Sequence, residues 1–251
     1  SAGNVQPISM APTLVAATNN VNAVQVAFGT GKYLETDDRS STAQNSFYVL
    51  YDDGTTVADA TPVGSGAISG RARLKAASID TSGAITVPSF TWGRATSDLT
   101  TSSTVSSGWY MDYATSTERQ VSGALLTGST LVFGSLIPGS SGDAAACGVS
   151  GGSGNSYIID VDTGIGTRRV STVGIMGQPL VIEVASTVES ISDSTGRRKK
   201  KITSQTIAQG SGGVGNAAGG PGNNGQTSVI ITAGRLSWRQ INNYLDLKRG
   251  S

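Results

Sequence analysis

The chain has 251 residues, with 34 glycines, 14% charged and 6% aromatic residues, and its 18 basic and 17 acidic side chains leave a net charge of +1. That length accommodates one large β domain with its own core, the near-neutral balance gives no whole-chain footprint for nucleic acid, and no run of about 18 apolar residues is present to span a bilayer as a helix. Histidine is absent and Cys147 is the single cysteine, which excludes Ser-His-Asp and Cys-His catalysis, histidine-bearing or thiolate-rich zinc sites and an intrachain disulfide within this chain.

Abundant Gly, Ser and Thr with few charges fit an all-β protein of short strands and many turns. The low aromatic content makes a carbohydrate-gripping or base-stacking surface less attractive. Pro7 and Pro12 fix an extended lead-in, Thr13 to Ala17 reads as a short strand, and Asn19-Asn20 turns the chain into a strand with Val24, Val26 and Phe28 on one face. Gly29-Thr30-Gly31-Lys32 has the look of a phosphate-cradling loop, but neither its spacing nor a following helix agrees, since Tyr33-Leu34 continues a strand. Residues 36–42 form a polar loop. Beyond it Phe47, Val49 and Tyr51 alternate with Tyr48 and Leu50, and Asp52-Asp53-Gly54 is a turn. The pairs Asp37-Asp38 and Asp52-Asp53 read as solvated turns in preference to calcium ligands. Asp160-Val161-Asp162 opens like a calcium loop, but Gly164 and Ser171 stand where ligands belong.

The stretch 55–107 reads as an insertion with strand-like pieces at Ile85-Thr86-Val87 and Phe90-Thr91-Trp92. Trp92 and Trp109 are expected as buried anchors rather than an exposed binding face, in a chain with so few aromatics. In Leu131-Val132-Phe133-Gly134-Ser135-Leu136-Ile137 apolar residues fall on both alternating faces, which a strand inside stacked sheets requires. It is expected to pair with Gly123–Leu126 across the turn Thr127-Gly128-Ser129 and to be followed by a strand carrying Tyr157, Ile159 and Val161. A later strand places Leu180, Ile182 and Val184 inward. Arg197, Arg198, Lys199, Lys200 and Lys201 form the strong charge run, expected at a solvated hairpin tip, with a binding surface for an anionic lipid or polymer as the alternative. Residues 209–226 read as a flexible Gly-rich loop, Val229-Ile230-Ile231 as a final strand, and Trp238, Ile241 and Leu245 as one face of a short terminal helix.

An ordered set of motifs runs through these elements: VQPISMAPTLV (5–15), VAFGTGKYLE (26–35) followed by SFYVLYDDG (46–54), Gly108-Trp109-Tyr110-x-Asp112, Glu118-Arg119, Leu136-Ile137-Pro138, Cys147 in a Gly-rich loop, Asp160-x-Asp162-Thr163-Gly164, and GRLSWRQ (234–240). In this order they resemble the C-terminal β-propeller region of the PilC/PilY family of type IV pilus tip-associated biogenesis and adhesion proteins. The resemblance implies an all-β fold of antiparallel meander sheets with long loops, residues 1–251 being the C-terminal portion of a β-propeller domain. It implies a non-enzymatic adhesin and pilus biogenesis factor that supports surface attachment, twitching motility and virulence. The expected location is extracellular, at the pilus tip or cell surface of a Gram-negative bacterium. Minor pilins, other pilus proteins and a host or abiotic surface receptor are the expected partners, with no nucleic acid and no membrane insertion.

No catalytic, cofactor or metal residue is assigned in this chain. Some members of the family carry a calcium loop of alternating Asp and Asn just ahead of a segment like VQPISMAP. Any calcium dependence is therefore expected to act through a part upstream of Ser1, where an export signal is also expected, since SAGNVQPIS lacks the regions of one. Cys147 reads either as a small residue packed under its loop or as the partner of a cysteine elsewhere. About nine or ten strands make roughly two to three blades where closed propellers use about four to eight, so further blades are expected upstream; an independent sandwich is the rival. The functional alternative is a secreted propeller enzyme or lectin acting on glycans, and a two-carboxylate hydrolase stays open because 17 acids cannot be paired from sequence.

Overall fold

A computed structural model describes residues 5–56, 58–59, 63–68, 70–139, 152–192, 198–211, 213–216 and 226–232. Cys147, Arg197, residues 217–225 of the Gly-rich stretch and the segment holding Trp238, Ile241 and Leu245 lie outside them. The described chain opens with β1 (Thr13–Ala16), β2 (Val24–Gly29), a 3-10 turn Thr36–Arg39 and β3 (Ser46–Asp52). Short pieces follow: β4 (Lys75–Ala76), β5 (Ser78–Ile79), β6 (Ala84–Thr86), β7 (Thr91–Trp92) and β8 (Val105–Ser106). Then come β9 (Gly108–Asp112), β10 (Leu125–Thr127), β11 (Thr130–Gly134), β12 (Ile137–Pro138), β13 (Gly152–Ser153), β14 (Asn155–Asp160) and β15 (Gly166–Val170). The last are the long β16 (Met176–Ser192) and β17 (Arg198–Gly210), β18 (Gly213–Asn216) and β19 (Gln226–Thr232).

One sheet has the order β1-β2-β3-β9-β4 and a second the order β10-β11-β14-β15-β6-β5, while β16 and β17 form a third with β18 and β19 sharing the far side of β17. Pairing is antiparallel except where β4 meets β9 and β7 meets β8. The all-β, antiparallel meander expected from sequence is the fold observed. The pairing of β10 with β11 and of β11 with β14 also follows the reading of that region, with Leu126 opposite Leu131 and Phe133 opposite Tyr157.

The first two sheets meet face to face through aromatic side chains. Phe47 of β3 stacks on Phe133 of β11 at 4.4 Å between ring centroids, and Phe133 stacks in turn on Tyr157 of β14 at 4.9 Å. Trp109, Met111, Ile85, Leu131, Ile159 and Val161 complete a core closed to solvent. Strand alternation sets this up: in β3 and β9 every second side chain faces the core, so Phe47 and Val49 lie against Met111 and Trp109 in register. Trp92 and Trp109 are both buried, as expected. The stretch 55–107, read as an insertion, supplies outer strands to both sheets, β4 beside β9, and β6 beside β15 with β5 beyond it.

Val24, Val26 and Phe28 share a face, as expected, and the face of β2 buried in the core is that of Gln25 and Ala27, where the polar Gln25 finds a partner. Two expectations are corrected. In β16, Leu180, Ile182 and Val184 are exposed at 56%, 43% and 45%, and the better-covered positions are Pro179 and Val181, a one-residue change of face. Within 209–226, the expected loop begins as a hairpin: Gln209 and Gly210 pair with Val214 and Gly213, and β19 starts at Gln226. Gly213, at φ +126°, allows that tight return.

Truncating Phe133 to Ala is expected to lower the unfolding free energy by about 3–5 kcal/mol, whereas Leu180→Ala on the exposed face of β16 is expected to change it by less than about 0.5 kcal/mol. Urea unfolding midpoints of the two variants measure both; comparable losses would contradict this assignment of the core.

Candidate functional site

Two places gather polar side chains in numbers: a buried cluster around Glu118-Arg119, and a cleft on the outer face of the first sheet. The buried cluster comes from the segment after β9. Arg119 bridges Leu136 through reciprocal backbone hydrogen bonds of 3.0 and 2.8 Å, and the Gln120 N–H donates to the Thr30 carbonyl just past β2 at 3.1 Å. This extended stretch therefore sews the end of β11 to the end of β2, and its successive side chains point opposite ways. Glu118 is fully buried, and its Oε1 accepts hydrogen bonds from the hydroxyl of Ser135, from Asn155 Nδ2 at 2.8 Å and from the Tyr157 hydroxyl at 2.7 Å. Its Oε2 is buried with no hydrogen-bond partner among the described residues. Burial pushes the phenols of Tyr157 and Tyr113 well up from their ordinary values, so Tyr157 keeps the proton it donates.

Arg119, also buried, turns the other way. Its Nη1 donates to the carbonyls of Lys32 at 3.0 Å and Asp38 at 2.6 Å, its Nη2 to that of Ser41 at 3.1 Å, and its Nε to that of Thr117 at 3.1 Å. A planar guanidinium is suited to collecting several carbonyls at once. The loop it holds is ordered from within as well: the N–H groups of Leu34 and Glu35 donate to Asp38 Oδ2 at 2.9 and 3.0 Å and keep that carboxyl below the usual range. Asp37-Asp38, read as a solvated turn, thus contains one buried member with a structural role.

The cleft lies on the opposite face of the first sheet. The register that puts Phe47 and Trp109 inside brings Phe28, Tyr48 and Tyr110 into one row across β2, β3 and β9 on the outside. The Phe28 and Tyr48 rings stack at 5.4 Å and those of Tyr48 and Tyr110 stand 6.1 Å apart. Arg71, from the turn before β4, lays its guanidinium 4.2 Å from the Tyr110 ring centroid, donates to the Tyr48 hydroxyl and to Ser46 Oγ at 2.7 and 2.6 Å, and pairs with Asp112 at 2.9 Å. Ser46 donates to Asp112 and Tyr48 to Gln6 Oε1, each at 2.6 Å. Between this network and Ile68, Gly70 and Leu74 lies a cavity of about 570 Å³.

Among the residues singled out in the sequence, Asp53 pairs with Arg94, which holds its carboxyl below the usual range. Asp160 accepts from the Thr163 N–H and hydroxyl at 2.9 and 2.8 Å and from Ser129 at 2.7 Å, closing the turn after β14. Of the basic run, Arg198 pairs with Ser192 where β17 begins, and Lys199, Lys200 and Lys201 continue that strand between β16 on one side and β19 on the other. Lys200 Nζ lies 4.0 Å from Glu183. Among the described residues no group of three or more His, Cys, Asp or Glu side chains converges as a metal site would require. Sequence reading missed the cleft. Its signal, one aromatic at an outward position in each of β2, β3 and β9, becomes visible only when the register is known.

No family model matches the chain. It is 30% identical over 144 residues to a type IV pilus biogenesis factor PilY1 homolog of Xylella fastidiosa, a match that covers 55% of this chain and 9% of that much longer relative. The similarity bears out the family resemblance carried by the motifs. The crystal structure of the Pseudomonas aeruginosa PilY1 C-terminal domain aligns with 80% of this chain and 44% of that one, at a TM-score of 0.49 and 20% identity.

Replacing Arg119 by Lys keeps the charge and loses the fork, leaving buried carbonyls without donors. The expected loss of stability is about 2–4 kcal/mol, and trypsin is expected to cut at Lys32 and Arg39 faster than in the parent chain. An unchanged cleavage pattern would show that the loop holds itself.

Proposed function

We propose that this chain is a non-enzymatic, surface-located component of a type IV pilus biogenesis system, with its sheets acting as a scaffold and its loops and outer sheet face meeting other pilus proteins or an external surface. The observation that carries this reading is the 30% identity over 144 residues to a pilus biogenesis factor. Because the match covers 9% of that relative, the role assigned here is that of one region within a larger machinery. The structure supports a scaffold in a specific way. The side chains of the motif stretches are engaged in holding the fold: Glu118 by Ser135, Asn155 and Tyr157, Arg119 by loop carbonyls, Asp160 by its own turn, and Trp109 by the Val161 carbonyl at 3.0 Å. Calcium control, attachment and twitching motility belong to this reading as proposals about the parent protein.

In the bacterium that encodes it, in-frame deletion of this segment is expected to reduce surface pili at least tenfold, as counted by electron microscopy and by sheared pilin, and to abolish the twitching zone. Restoring the segment is expected to return both. Full piliation and motility in the deletion strain would overturn the proposal.

A further inference from the structure

We infer that the cleft over Phe28 and Tyr48 is a binding site for a neutral saccharide. This deepens the scaffold reading and rests on it for biological context, but the chemistry stands on the cleft itself. The cavity of about 570 Å³ falls in the range of roughly 300–1,000 Å³ typical of small-molecule sites. Its lining combines Phe28, Tyr48 and Leu50 with Gln6, Gln44, Thr30, Arg71 and Asp112. The Phe28 and Tyr48 rings cover one face of each other, and the ring atoms that line the cavity offer apolar contact to the C–H groups of a sugar, while amide, hydroxyl and carboxyl groups around them can exchange hydrogen bonds with ring hydroxyls.

The electrostatics favour a neutral ligand over an acidic one. Arg71 would be the natural grip for a carboxylate or phosphate, but its donors already go to the Tyr48 hydroxyl, to Ser46 and to Asp112, and the Asp112 carboxyl neutralises its charge at 2.9 Å. Asp112, whose side chain is 47% exposed, retains accepting capacity for hydroxyl groups. An extended peptide is disfavoured for a separate reason: β3 is paired on both sides, β1 covers β2 and β4 covers part of β9, so the aromatic row offers little free strand edge for backbone pairing. The site is also held in shape without ligand, since the Gln6, Ser46, Tyr48, Arg71 and Asp112 hydrogen bonds fix the rotamers around it.

The test uses the full 251-residue chain. Glucose, galactose, mannose and N-acetylglucosamine are screened by saturation-transfer NMR with N-acetylneuraminic acid and an unstructured peptide alongside, and the best binder is titrated by calorimetry. At least one neutral sugar is expected to receive saturation on its ring protons. Phe28→Ala, which removes the platform, and Asp112→Asn, which keeps shape and removes charge, are each expected to weaken binding at least tenfold, with Leu180→Ser on β16 leaving it unchanged. Circular dichroism melts establish that the variants are folded, and if one is not, the other carries the test. Absence of binding by every neutral sugar, binding by the acidic sugar or peptide alone, or neutral-sugar binding untouched in the folded variants would overturn the assignment. Loss of pili on segment deletion with no sugar binding would sink only the saccharide site; sugar binding with normal pili after deletion would sink only the pilus reading.

Discussion

The structure depends on what happens when two ionisable neighbours, Glu118 and Arg119, are buried together on an extended segment. A buried ionisable or polar group is costly unless its hydrogen-bonding capacity is met. Each therefore demands partners, and because consecutive side chains in extended backbone point apart, the partners lie in different parts of the chain. Glu118 draws in Ser135, Asn155 and Tyr157 from the second sheet. Arg119 draws in the carbonyls of Lys32, Asp38 and Ser41 from the loop between β2 and β3. With Gln120 bonded to Thr30, three consecutive residues bind the second sheet to the exit of β2 in the first.

Glycines make room for that clamp. A Cβ on Gly29 would lie 1.9 Å from Gln120 Oε1, and Gly31, at φ +126°, would put one 2.2 Å from Arg119 Cβ. On the other side of the core, Gly164 adopts φ +67° in the turn closed by Asp160, where Trp109 Nε1 reaches the Val161 carbonyl and Trp92 Nε1 that of Asp162. Motifs scattered from 26 to 164 along the chain are thus assembled in pairs: Gly-Thr-Gly with Glu-Arg, and Gly-Trp-Tyr with Asp-x-Asp-Thr-Gly. Their place in this chain has a packing explanation.

What could be read from the sequence followed from local pattern. The both-faced apolar run around Phe133 could only be a central strand, and the alternation in SYIID and the Thr-Gly-Ser turn placed its neighbours. What could not be read depended on cross-strand register or on partners far away. Gln25 sits on the buried face because Asp162, distant in sequence, accepts its Nε2 at 2.8 Å; no local rule would turn Val24, Val26 and Phe28 outward. The cleft escaped for the same reason, since Phe28, Tyr48 and Tyr110 become one row only after two strand pairings are known. The basic run shows the same limit, since the pairing of β17 with β19 on its far side joins residues distant in sequence.

The clamp makes one cooperative unit of the two facing sheets, and native-state hydrogen exchange under increasing denaturant measures this. Amides of β2, β3 and β9 and those of β11 and β14 are expected to converge on a single opening free energy, with the Thr30 to Ser41 stretch joining them. Two distinct opening energies, one per sheet, would contradict it.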